Sequence, residues 1–140
     1  MKGVKTTLKI TNNMVSLPYT KDNPLVYTNN KKAQGYRRYD SLCTLEKGKK
    51  YLFCVNCDGT LGVNANDGSQ DYTTKPFTLW LSNSIYTRYN LFSSAGTRYI
   101  WQLTWNTTTE NVFLWVHTYS DDIHDTTIHV WDIAIYKISE

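Results

Sequence analysis

The densest group of ionisable side chains is Asp121, Asp122 and Asp125, with His124 among them. Paired carboxylates can act as acid and base on a glycosidic bond, but they must face one another across a cleft. Neighbours on one loop do not supply that geometry, so the cluster reads as a solvated loop or a cation site. His117, His124 and His129 could gather round a metal, yet their spacing matches no known ligand pattern. Cys54-Val55-Asn56-Cys57 has the spacing of half a zinc site or of a redox pair, and no second cysteine or histidine pair completes it. On a strand, moreover, Cys54 and Cys57 point to opposite faces. Neither a G-x-S-x-G elbow nor a glycine-rich phosphate loop is present. The expectation is a protein that is not an enzyme and carries no resident metal or cofactor.

Trp80, Trp115, His117, Tyr119 and Asn56 suggest a different chemistry. On neighbouring strands they would form a platform of rings with an amide, an imidazole and a phenol beside it. The C–H faces of a sugar lie flat on such rings while the polar groups fix its hydroxyls, the usual combination of apolar area and a few placed polar groups. Burial of the same rings under a loop or a neighbouring subunit is the alternative.

Strands must position these groups, because no long segment carries the 3.6-residue apolar period of a helix. Short runs with period two, rich in β-branched and aromatic residues, predict strands over 4–10, 35–42, 50–57, 77–81, 98–105, 111–119 and 127–138. Turn residues separate them at Glu46-Lys47-Gly48, Cys57-Asp58-Gly59, Asn66-Asp67-Gly68 and Ser94-Ala95-Gly96. The polar run 106–110 reads as a hairpin loop, and its Asn106-Thr107-Thr108 fits a glycosylation pattern but, without a secretion signal, reads as a polar turn. Residues 12–32 contain Pro18 and Pro24 and read as a long loop with at most one short strand.

Alternation assigns the faces. Val112, Leu114 and Val116 make a core face opposite Phe113, Trp115, His117 and Tyr119. Tyr51, Phe53 and Val55 face inward, leaving Leu52, Cys54 and Asn56 outward. Phe77, Leu79 and Leu81 are inward, with Thr78 and Trp80 outward. Tyr99, Trp101, Leu103 and Trp105 belong to the core, Trp105 near its rim. Near the C-terminus Trp131, Ile133 and Ile135 alternate with Ile128, Val130, Asp132, Ala134 and Tyr136, so both faces are partly apolar, as in a central strand.

These patterns predict one all-β domain over 1–140, a two-sheet β-sandwich of the jelly-roll kind with little or no helix. A hydrophobic share of 41% against 19% charged residues lies outside the disordered regime. The net charge of +3 is scattered, with small clusters at Lys47, Lys49 and Lys50 and at Arg37 and Arg38, so nucleic acid is not an expected partner. No apolar run is long enough for a membrane span or a secretion signal, which predicts a soluble chain without membrane insertion. Three cysteines, Cys43, Cys54 and Cys57, cannot all pair internally, and this points to reducing synthesis.

Leu45-Glu46-Lys47-Gly48-Lys49-Lys50-Tyr51-Leu52-Phe53 resembles a motif of family 4/9-type carbohydrate-binding modules, in which Lys-Gly-Lys precedes a strand of alternating aromatics. Val130-Trp131-Asp132-Ile133-Ala134-Ile135-Tyr136-Lys137 is similar to their last strand. Such modules also occur in tail and baseplate proteins of bacteriophages. The resemblance implies a non-catalytic jelly-roll module that binds a polysaccharide or cell-wall glycan, located on a phage virion and associated with other virion proteins. It also implies a structural calcium held by Asp132 with residues near the N-terminus, although 8–14 lacks the family's asparagine-glycine-aromatic-acid pattern. The expected function is glycan binding, including host-wall saccharide. A structural virion domain that buries its aromatic face in a subunit contact is the alternative, and a glycan-cleaving enzyme is a third.

Overall fold

In a computed structural model the period-two segments fold as antiparallel strands, and the structure describes residues 9–29, 35–39, 42–58, 77–82, 90–118 and 126–139. The strands are β1 (Lys9–Ile10), β2 (Leu25–Asn29), β3 (Gly35–Tyr39), β4 (Lys50–Cys57), β5 (Phe77–Leu81), β6 (Asn90–Ala95), β7 (Arg98–Thr104), β8 (Leu114–Thr118) and β9 (Thr126–Ser139). There is no helix among the described residues, and so none long and apolar enough to cross a membrane. The chain is all-β. One sheet runs β1-β9-β4-β7-β6 with β2 also on β9, and the other runs β3-β8-β5.

Local chemistry sets the joints. At Glu46–Lys49 the Lys49 N–H donates to the Glu46 carbonyl at 3.2 Å, and Gly48 takes a φ of 81°. A positive φ at the third residue defines a type II turn and favours glycine there. Gly96 and Thr97 alone join β6 to β7, with Ala95 paired to Arg98 and Gly96 at a φ of 59°. Glycine in the first central position matches a type II′ hairpin, whose twist suits the flanking strands.

Two sequence expectations are corrected. Residues 106–110 do not close a hairpin, because both edges of β7 are already taken by β4 and β6. The segment crosses to the other sheet instead, held by paired backbone bonds between Leu45 and Thr109 at 3.0 and 2.8 Å. Ser94-Ala95, read as part of a break, ends β6. That strand lies at a sheet edge, and its two large apolar residues, Leu91 and Phe92, are adjacent in sequence, so it lacks the apolar alternation that would reveal it. The short strand allowed within 12–32 is β2, where Leu25 is buried and Val26 exposed. Of the expected first strand only Lys9 and Ile10 lie within the described residues.

One cluster of buried side chains draws on both sheets, with Leu79, Leu81, Leu114 and Val116 meeting Tyr51, Phe53, Val55, Trp101, Leu103 and Ile135. Each of these follows the predicted alternation. At its centre Phe53 pairs in register with Trp101, their ring centroids 5.4 Å apart, and Tyr99 stacks on Trp101 at 5.7 Å. Trp105, expected near the rim, is enclosed and donates its indole N–H to Thr109 Oγ1 at 3.1 Å. On the opposite face of the larger sheet, Leu52, Cys54, Ala134 and Ile138 form a second, smaller cluster.

The long strand β9 reaches the main core with Ile128 and Val130, and then with Ile133 and Ile135. Even positions give way to odd ones, which no regular strand permits. Between the Cys54–Ala134 and Asn56–Trp131 pairs, β9 holds one residue more than β4. The surplus is a β-bulge in which Asp132 takes a φ of 49°. Aspartate tolerates this left-handed conformation better than most residues. The bulge therefore corrects the sequence assignment of Ile128 and Val130 to the face opposite Ile133. Deleting Asp132 should turn one half of β9 inside out and abolish a cooperative thermal melt. Asp132→Gly should melt at or above the parent temperature, and Asp132→Val should lose about 1–2 kcal/mol. A deletion variant that melts like the parent would remove the bulge from the account of the core.

Candidate functional site

The residues singled out from sequence divide between the two sheets. Trp80 and Trp115 are direct register partners on β5 and β8, with Arg38 of β3 on the other side of Trp115. His117 pairs with Thr78 and Tyr36 in the same sheet. Asn56 is on β4 in the other sheet, opposite Arg98 and Trp131. Tyr119 lies outside the described residues, as do Asp121, Asp122, His124 and Asp125. Trp115 is half-buried and packs against the main core cluster. Beside it the Arg38 guanidinium carbon stands 4.5 Å over the Phe113 ring.

A better-formed site lies where Asn56 does. Residues 17–20 run past the bulge and leave a cleft of about 550 Å³, open on one side, against β4, β7 and β9. Asn56, Arg98, Asp132 and Thr20 supply its polar wall, with Tyr19 and Tyr136 beside them. The bulge builds this arrangement. Turned out of the β4 ladder, the Asp132 N–H donates to the Tyr19 carbonyl at 3.1 Å, tying the segment to the sheet. Arg98 Nη1 donates to the Asp132 carbonyl at 2.9 Å. Thr97 Oγ1 donates to Asn56 Oδ1 at 3.2 Å, which orients the amide. Upstream, Asn13 Oδ1 accepts from the N–H groups of Val15 and Ile135 at 3.0 and 3.1 Å, and the Met14 N–H donates to the Ile135 carbonyl at 2.9 Å.

These bonds bear on the calcium that the family resemblance implies. The oxygens it would need near Asp132 are engaged: Asn13 Oδ1 holds two N–H groups, the Tyr19 carbonyl holds one, and the Asp132 carbonyl holds a guanidinium. An arginine so close also repels a second cation. Among the described residues the oxygens around Asp132 are thus already bonded within the fold beside a guanidinium, and residues 1–8, where part of the implied ligand set would fall, lie outside the described residues. Among the described residues no three His, Cys, Asp or Glu side chains gather to hold a metal.

Other reactive groups have structural surroundings. Cys54 lies in the smaller cluster and Cys57 in the larger one, on opposite faces of β4, and none of the three cysteines is in a disulfide. Burial pushes the Cys43 thiol up to about 11. It raises that of Cys54 too, with Arg98 acting in the opposite sense. A thiol so shifted is a poor nucleophile near neutral pH. Asp58 holds His129 through a 2.5 Å contact to Nδ1 and a 2.9 Å bond from the backbone N–H, which fastens the end of β4 to β9.

Sequence reasoning reached Asp132 only through a family resemblance and did not reach Arg98, Tyr19 or Tyr136. The available signal was the parity break, Ile128 and Val130 followed by Ile133 and Ile135, with an aspartate inside it. Comparison of the chain with protein-family models, curated proteins and solved structures gave no match.

Two measurements check these assignments. Trp101→Ala should cost about 3–5 kcal/mol, the usual loss for a core aromatic, and Trp115→Ala distinctly less. Equal losses in denaturant unfolding would make Trp115 a core residue. Chelation with EDTA should leave the melting temperature unchanged, and a marked fall would restore the calcium.

Proposed function

We propose that this domain binds carbohydrate and does not cleave it. The observation that carries the reading is the cleft at the bulge, where Asn56, Arg98 and Asp132 stand beside Tyr19 and Tyr136. Planar polar side chains meet hydroxyls from the edge, and an aromatic ring offers an apolar surface to the C–H face of a pyranose. Binding is favoured over cleavage because Asp132 is the sole carboxylate lining the cleft among the described residues, and glycoside hydrolysis uses two across the bond.

The resemblance of 45–53 and 130–137 to carbohydrate-binding modules, and the all-β architecture read as a jelly-roll sandwich, agree with this proposal. They suggest an adhesion domain of a phage tail or baseplate protein, located on the virion and turned to host-wall saccharide, with neighbouring virion proteins as partners. Nucleic acid is not an expected partner: Lys137 is paired with Glu46 at 3.5 Å, and no basic stripe is legible in the sequence.

Titration calorimetry with host-wall oligosaccharides should show binding without release of reducing ends. Tyr136→Ala should weaken it by about 1–3 kcal/mol, by analogy with stacking on nucleobases. Absence of binding, together with self-association in light scattering, would favour the subunit-contact alternative. Release of reducing ends would favour an enzyme.

A further inference from the structure

We propose that the cleft accepts an uncharged pyranose and discriminates against acidic sugars, and that Asp132 and Arg98 are the pair that decides this. The proposal rests on the saccharide reading above and adds the ligand class and the residues that select it.

A carboxylate only accepts hydrogen bonds and a guanidinium only donates them, whereas a hydroxyl does both. Two neighbouring sugar hydroxyls therefore match an acceptor and a donor set side by side, one giving its proton to the carboxylate and the other receiving from the guanidinium. The bulge supplies such a set without letting it neutralise itself. Arg98 is anchored on the backbone carbonyl of Asp132, not on its carboxylate. Among the described residues no ion pair involves either side chain, the two present being His129–Asp58 and Lys137–Glu46. Asp132 is exposed, and Arg98 has four further N–H groups once one is spent on the carbonyl. Asn56, its Oδ1 occupied by Thr97, has its amide N–H groups as further donors.

Charge then sets the selection. Arg98 and Asp132 are the charged groups that line the cleft among the described residues, and they sum to zero. A uronic or sialic acid carboxylate would gain Arg98 but meet the Asp132 carboxylate in the same small volume. An amino sugar would meet Arg98. A neutral ring can use both groups at once, with charge-assisted bonds to each.

The test is calorimetry on the full chain with cellohexaose, maltohexaose and triacetylchitotriose as neutral probes, and with tetragalacturonate and sialyllactose as acidic ones. At least one neutral probe should bind, and the acidic probes should bind at least about tenfold more weakly. Asp132→Asn keeps a residue type that tolerates the left-handed backbone. It should weaken the neutral probe by about ten- to a hundredfold, the loss expected for bonds to a charged group, and narrow the gap to the acidic probes. Arg98→Gln should weaken neutral binding without improving acidic binding. Thermal melts identify a variant that fails to fold. In that case amide chemical-shift mapping of the parent decides, and shifts that avoid Asn56, Arg98 and Asp132 overturn the assignment. Acidic probes that bind as tightly as neutral ones overturn the ligand class and leave the saccharide reading standing. No binding by any probe overturns both.

Discussion

Between the Cys54–Ala134 and Asn56–Trp131 pairs β9 holds one residue too many for its partner, and Asp132 absorbs it by turning left-handed. The consequences run in two directions. Inward, the shift lets Ile128, Val130, Ile133 and Ile135 all reach one core, where a regular strand would send half of them to the other face. Outward, it frees the Asp132 N–H and carbonyl from the ladder and hands them to Tyr19 and Arg98. Both groups would otherwise lack partners, and backbone polar groups in a folded protein rarely go without.

The same strand links the rest of the larger sheet. β9 pairs with β4 along one edge and with both β1 and β2 along the other, so the N-terminal segment closes over it at either side of the bulge. Sites built on strands are held more firmly than sites on loops alone, since ladder bonds and core packing fix the backbone beneath them. Here Arg98, Asn56, Asp132 and Tyr136 stand on three adjacent strands, and residues 17–20 contribute the other wall. Bulges recur next to functional sites because they re-aim a side chain without unravelling a sheet. The proposed recognition of a neutral sugar uses that property directly.

Packing and recognition thus make different demands on the two faces of the larger sheet. The inner face carries the Phe53, Trp101 and Tyr99 stack, with the indole N–H of Trp101 lacking an acceptor among the described residues. Such a group contributes through contact area, and its desolvation is offset by close packing. Among the described residues the outer face carries the smaller cluster of Leu52, Cys54, Ala134 and Ile138, with Ile100 and Tyr136 packed against it, and beside it the polar groups of the cleft.

Period-two alternation alone determined the all-β class, the inward sets of β4, β7 and β8, the inward Leu79 and Leu81 of β5, and the divergence of Cys54 from Cys57, because the side-chain period of a strand is local and needs no knowledge of its partners. Gly48 and Gly96 marked turns for the same reason: a positive φ is a property of the residue itself. Which strands pair was another matter. The segment 106–110 looked like a hairpin loop until β6 and β4 occupied both edges of β7, and Asn56 looked like a companion of Trp115 until the sheets separated them. Register between distant strands created the bulge, and the bulge brought Tyr19, Arg98 and Asp132 together from positions far apart in the chain. Only the tertiary structure could decide that, because an extra residue in a strand has meaning solely against the partner it fails to match.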